Sequence, residues 1–291
     1  MSFAVMMQNA VCSVAIFAHN EETRIRRCLT SLDIGAFAGN ISVHVIANGC
    51  SDRTAAVARS FSAPRKAIHV HELALGDKAN AWNYAVHTIG ELADFYVFVD
   101  GDCWIKPGSL QNLGSTLFGH SSANAAVAYP AHKHAEWPAW SLHGNLYALS
   151  ADFVYRLRAD SIALPIGLVG DDSFIGHLAL LDLNPKGRWD LSKLARAVEA
   201  GFYYDQADFL SVAFYVNQYR RKMRYARRSF ENKMLDLWIR EHGLGELPGC
   251  VTDLYQAYAQ CCGFRWNGVD TLFEWLSLRR IQHIAAGKKG F

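Results

Sequence analysis

Phe95-Tyr96-Val97-Phe98-Val99-Asp100-Gly101-Asp102 is the stretch whose reading decides the fold. Five consecutive aromatic and β-branched residues make a run of strand length with no polar alternation, as in a strand buried on both faces. The run ends on two carboxylates with a glycine between them. Toward the N-terminus the same unit recurs. Lys78 to about Leu92 carries Trp82, Ala85, Val86 and Ile89 on one helical stripe, and Ala67 to Leu73 before it alternates as a strand does. Ile41 to Ala47 is another β-rich run. It is followed by Ser51, placed to cap a helix with Asp52 in its first turn that runs to about Arg59. Cys12 to Ala18 is a short apolar strand. Glu21 to Leu32 follows as a helix, with Asn20 at the capping position and Ile25, Cys28, Leu29 and Leu32 at i, i+3, i+4 and i+7. Four strand–helix units in succession predict an α/β fold around a parallel sheet with right-handed crossovers. Ligands of such sheets bind beyond the carboxyl ends of the strands, where Asp100 and Asp102 stand.

Toward the C-terminus the pattern is mixed. Ala125–Tyr129, Asn145–Leu149 and Ala197–Tyr204 are strand candidates, Ser173–Leu181 reads as a helix, and the Pro/Trp/His-rich stretch His132–Trp140 reads as a loop. From Ala207 the chain reads as helical, with breaks near Gly243–Gly249 and Gly263–Gly268.

Composition narrows the function. Of 291 residues, 51% are hydrophobic and 19% charged, which excludes a disordered chain. The 29 Lys+Arg against 27 Asp+Glu leave a formal charge of +2, too small for a nucleic-acid partner held by bulk charge. The longest apolar runs are strand-sized, far short of a membrane span. The first basic residue is Arg24, so no charged secretory leader is expected. Seven cysteines at irregular spacing, two of them adjacent (Cys261 and Cys262), read as free thiols of a reducing compartment. A cytoplasmic location is the expectation.

Five constellations bear on chemistry. Asp100-Gly101-Asp102 supplies the hard oxygen ligands that Mg²⁺ or Mn²⁺ takes, although an Asp-x-Asp pattern alone also fits a solvated turn. Asn48-Gly49-Cys50-Ser51-Asp52 permits a tight turn before a helix N-terminus, and fits an ordinary βα loop equally well. Lys78, at the start of the Trp82 helix, can reach a phosphate or a base carbonyl, or remain solvated. Asp171-Asp172 precedes a helix. There the pair favours the helix dipole, or serves as a general base whose neighbour raises its pKa. The basic run Arg220, Arg221, Lys222, Arg224, Arg227 and Arg228 reads as a solvated face, as a holder of a diphosphate, or as a contact for an anionic membrane surface. His132, Lys133, His134 and His143 lack a third ligand type at metal-binding spacing and read as surface or acceptor-site residues.

Together these segments resemble the family 2 glycosyltransferases of the GT-A fold. Val14 to Leu29 (VAIFAHNEETRIRRCL) is similar to that family's opening strand and helix, with Phe17 and His19 where proline and tyrosine are usual. Ile46 to Thr54 (IANGCSDRT) resembles the second nucleotide-binding loop, with Asn48 in the place of a frequent Asp. Gly76 to Ala85 (GDKANAWNYA), Phe98 to Asp102 (FVDGD) and Pro165 to Phe174 (PIGLVGDDSF) are similar to the Gly-Lys, Asp-x-Asp and base-bearing segments. Gln218-Tyr219-Arg220-Arg221-Lys222 resembles the Gln-x-x-Arg-Trp of processive polymer synthases, with Lys222 replacing the tryptophan, so non-processive transfer is expected. The resemblance implies a GT-A (Rossmann-like), mostly parallel mixed sheet over residues 1–230. A helical C-terminal extension, 231–291, would pack on the catalytic domain or on the acceptor side. It implies inverting transfer from a nucleoside-diphosphate sugar to a hydroxyl of a glycan, lipid-linked or small-molecule acceptor, with Mn²⁺ or Mg²⁺ held by Asp102 and Asp100. Ala18, Asn20, Glu21, Asn48, Lys78, Asp100, Gly101 and Arg221 would bind the donor, with Arg221 countering charge on the departing diphosphate. Asp172 would be the base, with Asp171 as its fallback. Peripheral contact with the inner membrane face belongs to the same expectation for the tail. An inert sugar-nucleotide or glycan-binding module is the non-enzymatic alternative. A sugar-phosphate nucleotidyltransferase is the enzymatic one, disfavoured because Ala18-His19-Asn20-Glu21 is not a glycine-rich basic loop.

Overall fold

A computed structural model describes residues 3–61, 68–132, 138, 141–206, 211–263, 266 and 268–288. Lys133, His134, the first residue of the strand expected at 67–73, and residues 207–210 of the expected helical region lie outside them. The elements in chain order are α1 (Phe3–Asn9), β1 (Val11–Ala18), α2 (Ile25–Ser31), β2 (Asn40–Asn48), α3 (Thr54–Arg59), β3 (Ile68–Leu73), α4 (Lys78–Asn83), β4 (Phe95–Asp100), β5 (Cys103–Ile105), α5 (Ser109–Gly119), β6 (Ala125–Pro130), β7 (Leu146–Ser150), α6 (Ala151–Ala159), α7 (Asp171–Leu180), β8 (Leu194–Tyr204), α8 (Val212–His242), α9 (Val251–Tyr258) and α10 (Asp270–Ala285). They fall into two compact units. The first holds residues 1–161 and 172–205, the second 162–171 and 206–291. Residue 230, the boundary expected from the sequence, falls inside α8, a continuous 31-residue helix of the second unit.

In the first unit the described strands form one sheet in the order β3-β2-β1-β4-β7-β6-β8-β5. The four strands of the repeating N-terminal units are parallel, with Val14 beside Val43 and Val97. β7 runs antiparallel to β4 and β6, β6 pairs parallel with β8, and the three-residue β5 runs antiparallel to β8. The sheet is thus mixed and mostly parallel, as the sequence predicts. β1, β4 and β6 are buried along nearly their whole length, which accounts for their unbroken apolar runs. Beneath β4, Trp82, Phe98 and Tyr147 stack at centroid distances of 6.1 and 5.0 Å, and Trp82 Nε1 donates to the Tyr147 hydroxyl at 3.0 Å. Each such buried aromatic contributes about 2–3 kcal/mol through area removed from water.

Local departures from the sequence reading have physical causes. Asn20 does not cap α2. It takes a left-handed conformation (φ 56°) and turns its carboxamide to the neighbouring loop, where Oδ1 accepts from Ser51 N at 2.8 Å. Ser51 does not cap α3 either: the Asp52 carboxylate accepts from Thr54 N at 2.9 Å. The helix expected from Lys78 to Leu92 begins as an α-helix capped by Asp77, whose Oδ1 accepts from Asn80 N at 2.7 Å. It widens into a π-turn at Tyr84–Thr88 before Gly90, at φ 63°, stops it.

In the second unit, Ser211 caps α8 and Gly243, at φ 84°, ends it. Ala226, Phe230, Met234, Leu235 and Ile239 of α8 are buried together with Leu254 and Tyr255 of α9 and Leu278 and Ile281 of α10. The segment 162–171 is fastened to them by a bridge between Ile166 and Cys250. A further tie is Val169 N donating to Glu231 Oε2 at 2.9 Å.

Candidate active site

The carboxyl ends of β1, β2 and β4 bring the sequence-predicted residues of the first unit together. Gly101 N donates to the Phe17 carbonyl at 2.8 Å, and a Cβ at Gly101 would stand 3.0 Å from that oxygen and 3.1 Å from Ala18 Cβ. A side chain between the two aspartates would therefore crowd Ala18 where β4 ends, and its neighbours would have to give by a few tenths of an ångström. Asp100 pairs with Lys78, Oδ1 to Nζ at 2.6 Å, and Asn145 Nδ2 approaches its Oδ2 at 3.4 Å. The Asp102 carboxylate is treated differently: its Oδ1 is buried and accepts no hydrogen bond from any described residue.

The wall of the site is a hydrogen-bonded chain of loops. His19 Nδ1 lies 2.7 Å from the Asn48 carbonyl, which can only accept, so Nδ1 carries the proton. Nε2 is then the acceptor for Asn20 Nδ2 at 3.3 Å. Asn48 is buried and donates its amide to the Ala18 carbonyl at 3.1 Å, so it shapes the loop from within. Gly49, at φ 58°, lies back to back with Gly76; a Cβ there would fall 2.4 Å from the Gly76 backbone. Glu21 forms an ion pair with Arg24, Oε2 to Nε at 2.7 Å, and its backbone N–H donates to Thr54 Oγ1 at 2.7 Å. Burial raises the pKa of Glu21; the Arg24 guanidinium opposes this, while Asp102 and Asp52 add to the rise. The thiols of Cys28 and Cys103 both point at the Asp100 carbonyl. Burial, together with the nearby carboxylates, holds them protonated and unreactive.

Asp172, in the first turn of α7, lies on the same side. Its Oδ1 accepts from Ser173 N at 2.7 Å and its Oδ2 from Gly144 N at 3.3 Å. A Cβ on Gly144 would stand 3.0 Å from Asp172 Cβ and 3.1 Å from Lys78 Nζ, so Asp172 and the Lys78–Asp100 pair flank the same glycine. Asp171, which is buried, belongs to the second unit. So does Arg221, whose Nε donates to the Tyr225 hydroxyl at 2.8 Å. His132 and His143 pack against Tyr204 and Tyr129, with centroids 4.6 and 5.3 Å apart. The site contacts of Gly144 and Asn145 are not legible in the sequence, because nothing local marks these two residues. They matter only through contacts with Lys78, Asp172 and Asp100, far away in the chain.

The residues present fit a hard divalent cation. Mg²⁺ and Mn²⁺ are commonly held by one or two carboxylates together with phosphate oxygens of a ligand. Asp102 offers a buried carboxylate oxygen with no donor among the described residues, and Asp100 adjoins it. Among the described residues no group of three or more His, Cys, Asp or Glu side chains forms a complete metal cage. No helix among them is long and apolar enough to cross a membrane.

Comparison with solved structures places the fold among GT-A enzymes. S. aureus TarS superposes with a TM-score of 0.56 at 15% identity, over 86% of this chain and 42% of that one. The chain thus spans less than half the length of TarS. The mannosyltransferase PcManGT from Pyrobaculum calidifontis, solved in complex with GDP-Man and Mn²⁺, gives 0.56 at 14% identity over 96% and 86% of the two chains. Glucosyl-3-phosphoglycerate synthase from Mycobacterium tuberculosis, in complex with Mn²⁺, UDP-Glc and phosphoglyceric acid, gives 0.52 at 15% identity over 71% and 76%. Comparison with curated protein sequences gives no match. The sequence model of glycosyl transferase family 2 matches residues 13–170. That range is more than half of the chain and contains Glu21, Lys78, Asp100 and Asp102, and on this ground the chain belongs to glycosyl transferase family 2.

Proposed function

We propose that this glycosyltransferase moves one sugar at a time from a nucleoside-diphosphate sugar to an acceptor hydroxyl, with inversion at the anomeric carbon and with Mn²⁺ or Mg²⁺ bound. The observation that carries the reading is the grouping of Lys78, Asp100 and Asp172 about Gly144, with the partnerless Asp102 oxygen one residue beyond Gly101. Ala18, Asn20, Glu21 and Gly101 line the nucleoside side, with Asn48 shaping that wall from inside. Lys78 leaves Asp100 to meet the diphosphate. Asp102 and Asp100 hold the cation, which when bound supplies Lewis-acid neutralisation of diphosphate charge. Asp172 takes the proton of the acceptor hydroxyl as its oxygen bonds to the anomeric carbon. The bond from that carbon to the diphosphate oxygen breaks on the opposite face, and its electron pair leaves with the nucleoside diphosphate. The two backbone donors on Asp172 fix the carboxylate for that transfer.

The test is a panel of nucleotide sugars incubated with and without Mn²⁺, with released nucleoside diphosphate quantified. Metal-dependent release from at least one donor is expected; binding without release would leave an inert module. Asp172→Asn lowers kcat about a hundredfold or more, the usual contribution of a general base, while donor affinity holds. Unchanged turnover would remove Asp172 from the role.

A further inference from the structure

The arginines of α8 that look alike in sequence have different surroundings in the second unit. Arg227 is committed. Its Nε donates to Glu231 Oε1 at 2.7 Å and to the Tyr255 hydroxyl at 2.8 Å, and a terminal nitrogen donates to the Gly167 carbonyl at 2.7 Å. Arg224 and Arg220 stand one and two turns earlier on the same face, and Arg280 stands on α10. Among the described residues none of these three makes an ion pair or a hydrogen bond. All four guanidinium-bearing residues line one cavity of about 500 Å³, with Ile281 and Tyr255 in its walls and no Asp or Glu among its lining residues.

Like charges gathered around a concavity repel one another and focus a positive potential into it. Three guanidinium groups without protein acceptors, around a space the size of a small-ligand site, call for an anion with several oxygens and more than one charge. The guanidinium fork matches phosphate oxygens two at a time. The apolar wall at Ile281 accommodates an uncharged substituent. We propose that this cavity binds a phosphate group, as a phosphomonoester or a diphosphate. The proposal stands on the second unit alone and does not depend on the donor chemistry of the first. The phosphate can belong to a soluble molecule or to a lipid headgroup. Val269, Leu272 and Trp275 are exposed at the start of α10, so a lipid source is tested alongside a soluble one.

The experiment titrates the full chain calorimetrically with inorganic pyrophosphate at low salt, in EDTA to silence metal-held diphosphate. In parallel it sediments the chain with phosphatidylcholine vesicles containing one-fifth phosphatidic acid. Wild type, Asp102→Asn, Arg224→Gln/Arg280→Gln and Arg279→Gln are compared. Arg279 neighbours Arg280 but packs on Trp275 and does not line the cavity. Binding to wild type and Asp102→Asn is expected in at least one arm. The double glutamine variant should weaken it at least about tenfold, as loss of charge-assisted hydrogen bonds implies, and Arg279→Gln should hold within about twofold. Pyrophosphate binding identifies a soluble source and vesicle binding alone a lipid one; each supports the phosphate site. Absence of binding in both arms overturns the proposal. So does survival of binding in the double variant, or an equal loss in Arg279→Gln. If the double variant melts early, Arg280→Gln alone carries the same comparison.

Discussion

Two carboxylate clusters in the first unit sit at opposite ends of its sheet and are built on opposite plans. Asp182 lies at the amino end of β6, beside Asn124, whose carbonyl accepts from Ser150 N; Ser150 in turn stands opposite Phe95 at the start of β4. Every side-chain oxygen of Asp182 is used: Oδ1 meets Arg156 at 2.8 Å and Asn124 at 3.0 Å, and Oδ2 meets Lys193 at 2.8 Å. Partial burial pushes its pKa up, but the hydrogen bonds from Lys193, Asn124 and Arg156 prevail and hold it at about 2. At the other end Asp102 keeps an oxygen without a donor among the described residues, and Glu21 beside it is pushed up by burial and by its acidic neighbours. A carboxylate that serves only the fold is saturated by protein cations. One left short of donors in a cleft leaves room for a ligand to complete it.

The contrast can be broken, beginning with its largest expected effect. Asp102→Asn should lower metal-dependent nucleoside-diphosphate release by about three powers of ten, the equivalent of several kcal/mol of lost charge stabilisation, with little change in melting temperature. A large fall in melting temperature with turnover intact would make Asp102 a second Asp182. Asp182→Asn should do the reverse. It costs about 1–2 kcal/mol after allowance for solvent screening, read as a melting temperature lower by roughly 3–6 °C at pH 7, with turnover within about twofold. Because the folded pKa of Asp182 is depressed, its stabilisation is present above the ordinary carboxylate range and is lost as pH falls through about 2. Lys78→Gln comes next: it frees Asp100 and removes a phosphate ligand, raising donor KM about tenfold with a smaller effect on kcat. Glu21→Gln gives the smallest signal. A raised folded pKa means that the wild-type contribution is fully present below the unfolded pKa and declines as pH rises through the folded one. Denaturant melts of the pair should therefore favour the glutamine variant more at pH 8 than at pH 4. An opposite slope would show that the Arg24 pair outweighs burial.

Much of the sheet was legible because its strands are apolar runs bounded by glycine and carboxylates. β1 and β4 match their sequence limits to within one residue. The short β5 and the helices α1, α5 and α6 were not read. Three residues of β5 carry no periodicity and become a strand only by pairing with β8, about a hundred residues on. The acids of the site were legible by type and by their place at strand ends. Their partners were not: the Lys78–Asp100 pair and the Gly144 contact with Asp172 join residues 22 and 28 positions apart, which no local pattern encodes. The misplaced caps have the same origin. Asn20 and Asp52 have side chains suited to capping, but tertiary contacts between two loops decide which backbone N–H each one serves.

The contact between Gly49 and Gly76 limits how this protein can be redesigned. Any side chain at either position must displace a neighbour, backbone in the case of Gly49 and the His19 ring in that of Gly76, so the loops after β2 and β3 are riveted together at fixed spacing. Directed evolution of ligand preference should find the Gly49 codon immovable and Gly76 tolerant only where His19 can yield, and accepted changes should gather in segments whose tips are free to lengthen or repack.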